Sequence, residues 1–267
     1  TSMQPNIKES VGGLRDSQLI FWIAQTIYGV RNLKELRGEL FTDEEYREYR
    51  IALELLFRIR SALHLICNKQ EDRLLLEYMP QVSKMLGFKD EQKMATKVTE
   101  ALWRINNFTQ IFVKKMIRPY IVDKNNIRRF KHNRLKKGIY ELDSRVYASF
   151  NLDIQPINTL LEVLLLLKDK HYHFDAGFLN QFTYTKIKRP LKAKTYSLLK
   201  ELFNRKHMYC FLKLFYDAGV LHHLFSSFKK VLHMPQFDGY HHYPVDIHSI
   251  KSVEALENIK ESFIKEL

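Results

Sequence analysis

The stretch FTDEEYREYRIALELLFRIRSALHLICNK, Phe41 to Lys69, limits what this chain can fold into more than any other. Thr42 and Glu45 have the spacing of a capping box, in which each side chain satisfies a backbone N–H that the first helical turn leaves open. Ile51, Leu55, Ile59, Ala62, Leu63 and Ile66 then recur at three- and four-residue steps. That pattern predicts one long helix from Asp43 to about Cys67 with the stripe buried. An element of this length needs other helices to cover it.

The rest of the chain supplies them. Leu19, Ile20, Ile23, Ala24 and Ile27 predict a helix from near Asp16 to Gly29, with Asp16 at its positive end. A shorter helix is expected from Leu74 to Leu86 before Gly87, and a long one from Asp90, a capping residue, to about Met116, stopped by Pro119. After Gln155-Pro156 come a helix through Leu167, one or two short helices between Asp175 and Arg189, and one from Lys192 to Asn204. KHMYCFLKLFYDAG, closed by Gly219, is another, and a last helix begins near Asp246. The expected fold is mainly α, a multi-helix bundle, with a small β-hairpin or irregular excursion near 127–149. There helical periodicity fails, Ile139, Tyr140, Val146 and Tyr147 favour strand, and Lys137-Gly138 marks a turn. All strand content is expected within that stretch.

Charge points to anionic partners. Of 267 residues, 43 are Lys or Arg and 30 Asp or Glu, a net charge of +13. From Lys114 to Lys137 ten basic residues face the single acid Asp123. Cys67 and Cys210 are isolated, which argues against a disulfide or thiolate-zinc framework and fits a reducing, cytoplasmic setting. The longest apolar run, Ile157 to Leu167, contains Glu162 and is shorter than the ~20 residues a membrane span needs, and no signal peptide is visible, so no membrane role is expected.

Several chemistries are excluded by spacing. A nucleotidyltransferase core needs a glycine turn followed by paired carboxylates that hold two magnesium ions, but Gly12-Gly13 runs into a helix with no Asp-x-Asp or Asp-x-Glu after it. GxxxxGK[ST], GxGxxG, HExxH and GxSxG are all missing. The segment QFDGYHHYPVDIHSI holds His241, His242 and His248, of which His248 would project from the first turn of the last helix. One imidazole is not a metal site.

Three stretches, in order, resemble one family. PNIKESVGGLRDSQLIFW (Pro5 to Trp22) resembles the KEGxGGLRDxxxxxW sequence that follows the catalytic core of the bifunctional enzymes that uridylylate the nitrogen-regulatory protein PII and remove the group again. RIRSALHLICNKQEDRLLLEYMPQVSKMLGF (Arg58 to Phe88) is similar to that family's Arg-x-x-Leu-His segment, with its Asp-x-Leu-like step and a Gln before Leu-Gly. YHHYPVDIHSI (Tyr240 to Ile250) resembles the YHxYTVDxHTL that opens its HD phosphohydrolase domain. The chain departs from the family at Ser10-Val11 (usually Gly-Pro), Pro244 (Thr) and Ile247 (an acid). The related glutamine-synthetase adenylyltransferase has a similar helical domain with GGIRDIEF, but Ser17-Gln18-Leu19 does not match its Ile-Glu-Phe.

The resemblance implies two parts: a helical, nucleotidyltransferase-associated domain over 1–230, and a linker with the first helix of an incomplete HD domain over 231–267. It implies a parent that uses Mg²⁺ and UTP to place UMP on a tyrosine of PII and an HD-bound divalent metal to hydrolyse it off, with glutamine as effector. Lys8, Gly12, Gly13, Arg15 and Asp16 would lie near the nucleotide, with Lys8 and Arg15 nearest the triphosphate. The alternative for these residues is a plain helix start with Arg15 in a salt bridge. His248 would be the first HD ligand, its companions lying outside the chain, since no His-Asp dipeptide occurs in it. The chain then looks like an excised middle piece, catalytically incomplete and with no tightly bound cofactor of its own. Nucleic acid is not the expected partner. The rival reading is a basic RNA-binding module using Lys114 to Lys137 with Tyr120, Phe130 and Tyr140 for stacking, and a third is a purely structural interaction domain.

Overall fold

The structure is a computed structural model that describes residues 4–121, 133–149, 151–236 and 243–259. It is mainly helical with one small sheet, as expected, and it divides into two compact units. Unit 1 comprises Thr1–Pro119 with His233–Asp246, and unit 2 comprises Tyr120–Leu232 with Ile247–Leu267.

Unit 1 is built on α1 (Leu14–Tyr28), α2 (Asp43–Cys67), α3 (Met79–Met85) and α4 (Glu91–Ile121). The capping box forms as read: Thr42 Oγ1 accepts from Glu45 N, and the Glu45 carboxylate accepts from Thr42 N at 2.6 Å. The ends of α2 are therefore those expected, and its buried face agrees in part, since Ile59, Ala62 and Leu63 are buried as read. Tyr49, Ala52, Leu56, Ile59, Ala62 and Leu63 are buried, whereas Ile51 is 62% exposed and Leu55 and Ile66 are half-buried. The buried face is rotated from the expected stripe because apolar residues occupy both sides of the helix, and the packing selects the side that carries Tyr49. That ring stacks on Phe108 of α4 with centroids 4.4 Å apart, and its hydroxyl hydrogen-bonds Ser17 of α1. On α4, Met94, Val98, Leu102, Ile105, Phe108, Phe112 and Met116 are buried at helical spacing.

Two boundaries also differ. The helix expected from Leu74 starts only at Met79, because Leu74 is spent in an extended contact, its N–H donating to Pro5 O. Pro119 does not stop α4, which continues to Ile121. A proline this close to a helix end removes one hydrogen bond from the last turn, a smaller loss than in a helix interior.

Unit 2 holds a sheet in the order β1 (Arg134–Lys136), β2 (Ile139–Leu142), β3 (Arg145–Ala148) and β4 (His173–Phe174). The first three form the antiparallel excursion that was expected. The fourth pairs parallel to β3 outside 127–149, so strand content is not confined to that stretch. A two-residue strand gives no periodic signal and exists only through its neighbour. Helices α5 (Ile157–Leu166), α6 (Ala176–Tyr184), α7 (Ala193–Phe203) and α8 (Tyr209–Asp217) pack around a core that includes Phe178, Phe182, Phe211 and Phe215. A single helix, α6, lies between Asp175 and Arg189 and ends at Tyr184; it is capped by Asp175, which accepts from Phe178 N. The short α9 (Leu221–Leu224) follows, and α10 (Val245–Glu257) is the last helix. Glu257 at its end accepts from Met208 N and Tyr209 N, capping α8.

Candidate functional site

The first family-like stretch folds into a tight clip. Asn6 Oδ1 accepts from Lys8 N and Glu9 N, Ser10 Oγ accepts from Asn6 N, and Asp16 Oδ2 accepts from Gly12 N at 2.6 Å. Gly12 has φ +79°, and a Cβ there would lie 1.8 Å from the Leu102 carbonyl oxygen of α4. Gly13 is as crowded, since its Cβ would meet the carbonyls of Lys8, Ser10 and Ile7 within 2.9 Å. Glycine is needed at Gly12 for both conformation and contact.

The second stretch holds the clip from beneath. Ile7 N donates to Asp72 O at 2.7 Å, while the Asp72 carboxylate accepts from Arg60 Nε at 2.5 Å and contacts His64 Nε2 at 3.3 Å. Arg60 and His64 lie one turn apart on α2, so both reach the same carboxylate. Burial pushes the Asp72 carboxyl up, but the hydrogen bonds and charges of Arg60 and His64 outweigh it and hold it below the usual carboxylate range. The Arg-x-x-Leu-His and Asp-x-Leu stretches are both visible in the sequence, yet their convergence on Ile7 is not. Asp72 lies beyond the end of α2, where helical spacing no longer fixes position.

Of the five candidate nucleotide-proximal residues, Gly12, Gly13 and Asp16 shape the turn and Lys8 and Arg15 emerge from it. Arg15 is 60% exposed at its side chain and pairs with Glu9 at 2.7 Å, and Lys8 lies 3.8 Å from the same carboxylate. The salt bridge named in the alternative reading of Arg15 is thus present. It leaves the pair of cations with one carboxylate between them, so a phosphate could bind by displacing Glu9. Beside the clip is a cleft of about 340 Å³ lined by Gln4, Asn6, Ser10, Arg73 and Leu75, whose polar side chains suit a hydrogen-bonding or anionic ligand.

The third family-like stretch lies at the other end of the chain. α10 starts at Val245, one residue before the expected Asp246, and His248 is exposed on its first turn. Asp246 is fully buried and accepts from the His233 backbone N–H at 2.6 Å, and His233 packs on Trp103 at 5.4 Å between ring centroids. Burial pushes the His233 imidazole down, against the pull of Asp246 and Glu100. His241 and His242, like Tyr120's side chain, Phe130 and residues 122–132 of the basic run, lie outside the described residues. Among the described residues no group of three or more His, Cys, Asp and Glu side chains could hold a metal ion, and no helix is long and apolar enough to cross a membrane.

Comparison with known proteins agrees with the three stretches. The family model for GlnD PII-uridylyltransferase matches residues 1–113. Proteins named bifunctional uridylyltransferase/uridylyl-removing enzyme align along nearly the whole chain. That of Bradyrhizobium diazoefficiens is 26% identical over 99% of this chain and 31% of its own length, and that of Hydrogenovibrio crunogenus is 28% identical over the same shares. The Novosphingobium aromaticivorans protein is 27% identical over 98% of this chain and 30% of its own. The chain therefore spans slightly under a third of the length of these relatives. No solved structure matches it.

Proposed function

We propose, from the relationship of this chain to the bifunctional uridylyltransferase/uridylyl-removing enzymes, that it is the helical middle portion of such an enzyme. Residues 1–230 would form the domain beside the nucleotidyltransferase core, and residues 231–267 the linker and first helix of an HD domain. The parent would transfer UMP from UTP to PII with Mg²⁺ and hydrolyse it off again, under the control of glutamine. The observation that carries this reading is the convergence of the family-like stretches in unit 1: the Gly12-Gly13 turn seats on α4, and the Arg60–His64–Asp72 group holds Ile7.

Within this reading the chain positions ligands rather than reacting with them. Lys8 and Arg15 are the cations assigned to the triphosphate, held in place by a clip that two glycines and Asp16 make rigid. His248 is assigned as one ligand of the HD metal, which acts as a Lewis acid when bound. Fit to that metal is incomplete here, because one exposed histidine does not make a site, and no step is assigned to it within this chain. The two thiols, Cys67 and Cys210, are unpaired, which accords with a cytoplasmic setting.

The test is Arg15→Gln in the full-length parent. A raised KM for UTP with unchanged uridylyl removal supports the assignment, and unchanged transfer kinetics would limit Arg15 to its salt bridge with Glu9.

A further inference from the structure

The clip of unit 1 and the segment beneath it meet as a short ladder that sets side chains over the neighbouring cleft. Ile7 N donates to Asp72 O at 2.7 Å and Leu74 N donates to Pro5 O at 2.9 Å. Between these bonds Asn6 stands opposite Arg73 as an antiparallel pair. In a pair of this kind the two side chains leave the same face, with Cβ atoms about 4.5–5.5 Å apart. Pro5, Ile7 and Leu74 are buried on the other face, so Asn6 and Arg73 turn outward, and both line the cleft of about 340 Å³. Ser10 joins them there, its Oγ accepting from Asn6 N at 3.0 Å.

The groups that these three residues keep unused are donors. Asn6 Oδ1 accepts from both Lys8 N and Glu9 N, so the amide nitrogen is the end without a partner. Ser10 Oγ already accepts from Asn6 N, and its own hydrogen is left to donate. Arg15 pairs with Glu9 and Arg60 with Asp72, whereas the exposed Arg73 guanidinium has no carboxylate partner among the described residues. Glu71, two residues earlier, accepts from the Arg73 backbone N–H at 2.9 Å instead. One fixed cation and two neutral donors, in one cleft, suit an anion with several oxygens.

We propose that this cleft binds a phosphate group, its oxygens shared among the Arg73 guanidinium, the Ser10 hydroxyl and the Asn6 amide. Phosphate fits better than carboxylate, because three terminal oxygens can meet donors from three separate residues and a carboxylate offers only two. The cleft is at the lower end of ligand-site volumes, roughly 300–1,000 Å³, so it holds the phosphate and leaves the rest of a phosphorylated molecule outside. Ser10 stands where the family-like pattern has glycine, which would bring no hydroxyl. The site is separate from Lys8 and Arg15, the cations assigned to the triphosphate, neither of which lines this cleft, and it is independent of the enzyme reading.

The experiment is isothermal titration calorimetry of the whole chain with inorganic phosphate, glycerol 3-phosphate and acetate, at matched pH and ionic strength. Saturable one-to-one binding of phosphate is expected, and the two phosphate arms distinguish the free ion from the esterified group. Acetate should bind about 10-fold more weakly or worse, for one hydrogen bond fewer to a charged group. Arg73→Gln should weaken phosphate binding about 10- to 150-fold, the range for losing such a bond, and Ser10→Ala about 10-fold. Arg73 is exposed, so Arg73→Gln should keep the wild-type urea midpoint, and its loss of binding is then not a loss of fold. If Ser10→Ala unfolds the clip, Arg73→Gln decides alone. Arg58→Gln, exposed on α2 and outside the cleft, should bind as wild type does, which separates a site from the chain's overall positive charge. No saturable phosphate binding, acetate bound as tightly as phosphate, Arg73→Gln binding like wild type, or Arg58→Gln losing as much as Arg73→Gln would each overturn the proposal.

Discussion

Replacing Gly12 by alanine tests how the clip is seated. Its φ of +79° costs an L-residue about 1–2 kcal/mol, and the new Cβ would fall 1.8 Å from the Leu102 carbonyl oxygen. That obstacle is helix backbone, which cannot rotate away, so a forced overlap of about 1–3 kcal/mol adds to the strain. Lower chain entropy in the unfolded state returns about 0.4–1 kcal/mol. The net expectation is about 1–4.5 kcal/mol. Gly29 is the matched control: its φ is +66°, but nothing lies within 4 Å of its Cβ position, so Gly29→Ala should cost about 1 kcal/mol or less. Both tryptophans, Trp22 and Trp103, lie in unit 1, so urea unfolding followed by tryptophan fluorescence reports on this unit alone. Equal costs for the two substitutions would refute the close approach of Gly12 to α4.

Leu56→Ala should destabilise unit 1 by about 2–5 kcal/mol, since Leu56 is fully buried, while Ile51→Ser, at a position 62% exposed, should stay within about 0.5 kcal/mol; urea midpoints compare them directly. Asp72 has a depressed folded-state pKa, so its contribution is complete above the ordinary carboxylate range and is lost as pH falls through and below it; Asp72→Asn should flatten the acid limb of stability against pH. In the full-length parent, His248→Ala should abolish uridylyl removal and leave transfer largely intact, measured with metal content alongside. Retained removal activity would return His248 to a surface residue.

The sequence made some of this legible and some not, for identifiable reasons. The ends of α2 are readable because Thr42 and Glu45 act within one turn, and caps are local chemistry. Its buried face is legible only in part: Ile59, Ala62 and Leu63 pack as read, but Ile51, Leu55 and Ile66 are as apolar as the residues that pack, and the side that packs is the one where Tyr49 stacks on Phe108. The excursion over β1 to β3 is visible in its β-branched and aromatic residues, whereas β4 depends on a partner distant in sequence. In the candidate site, Gly12-Gly13 stands out by its resemblance, but the reason for glycine is the Leu102 carbonyl, some ninety residues away. The Arg60–His64 pair is part of a recognisable motif, yet its purpose emerges only when Asp72 folds back to join it and holds Ile7.

The central claim is that this chain is one part of an enzyme whose reacting groups lie elsewhere in the polypeptide. The most direct measurement is transfer of labelled UMP from UTP to PII, run in parallel with the isolated chain and with the full-length protein that contains it. The account predicts that the full-length protein labels PII and the isolated chain does not. Robust labelling by the isolated chain, with traces of the full-length enzyme excluded, would contradict it, and so would a full-length protein that never labels PII.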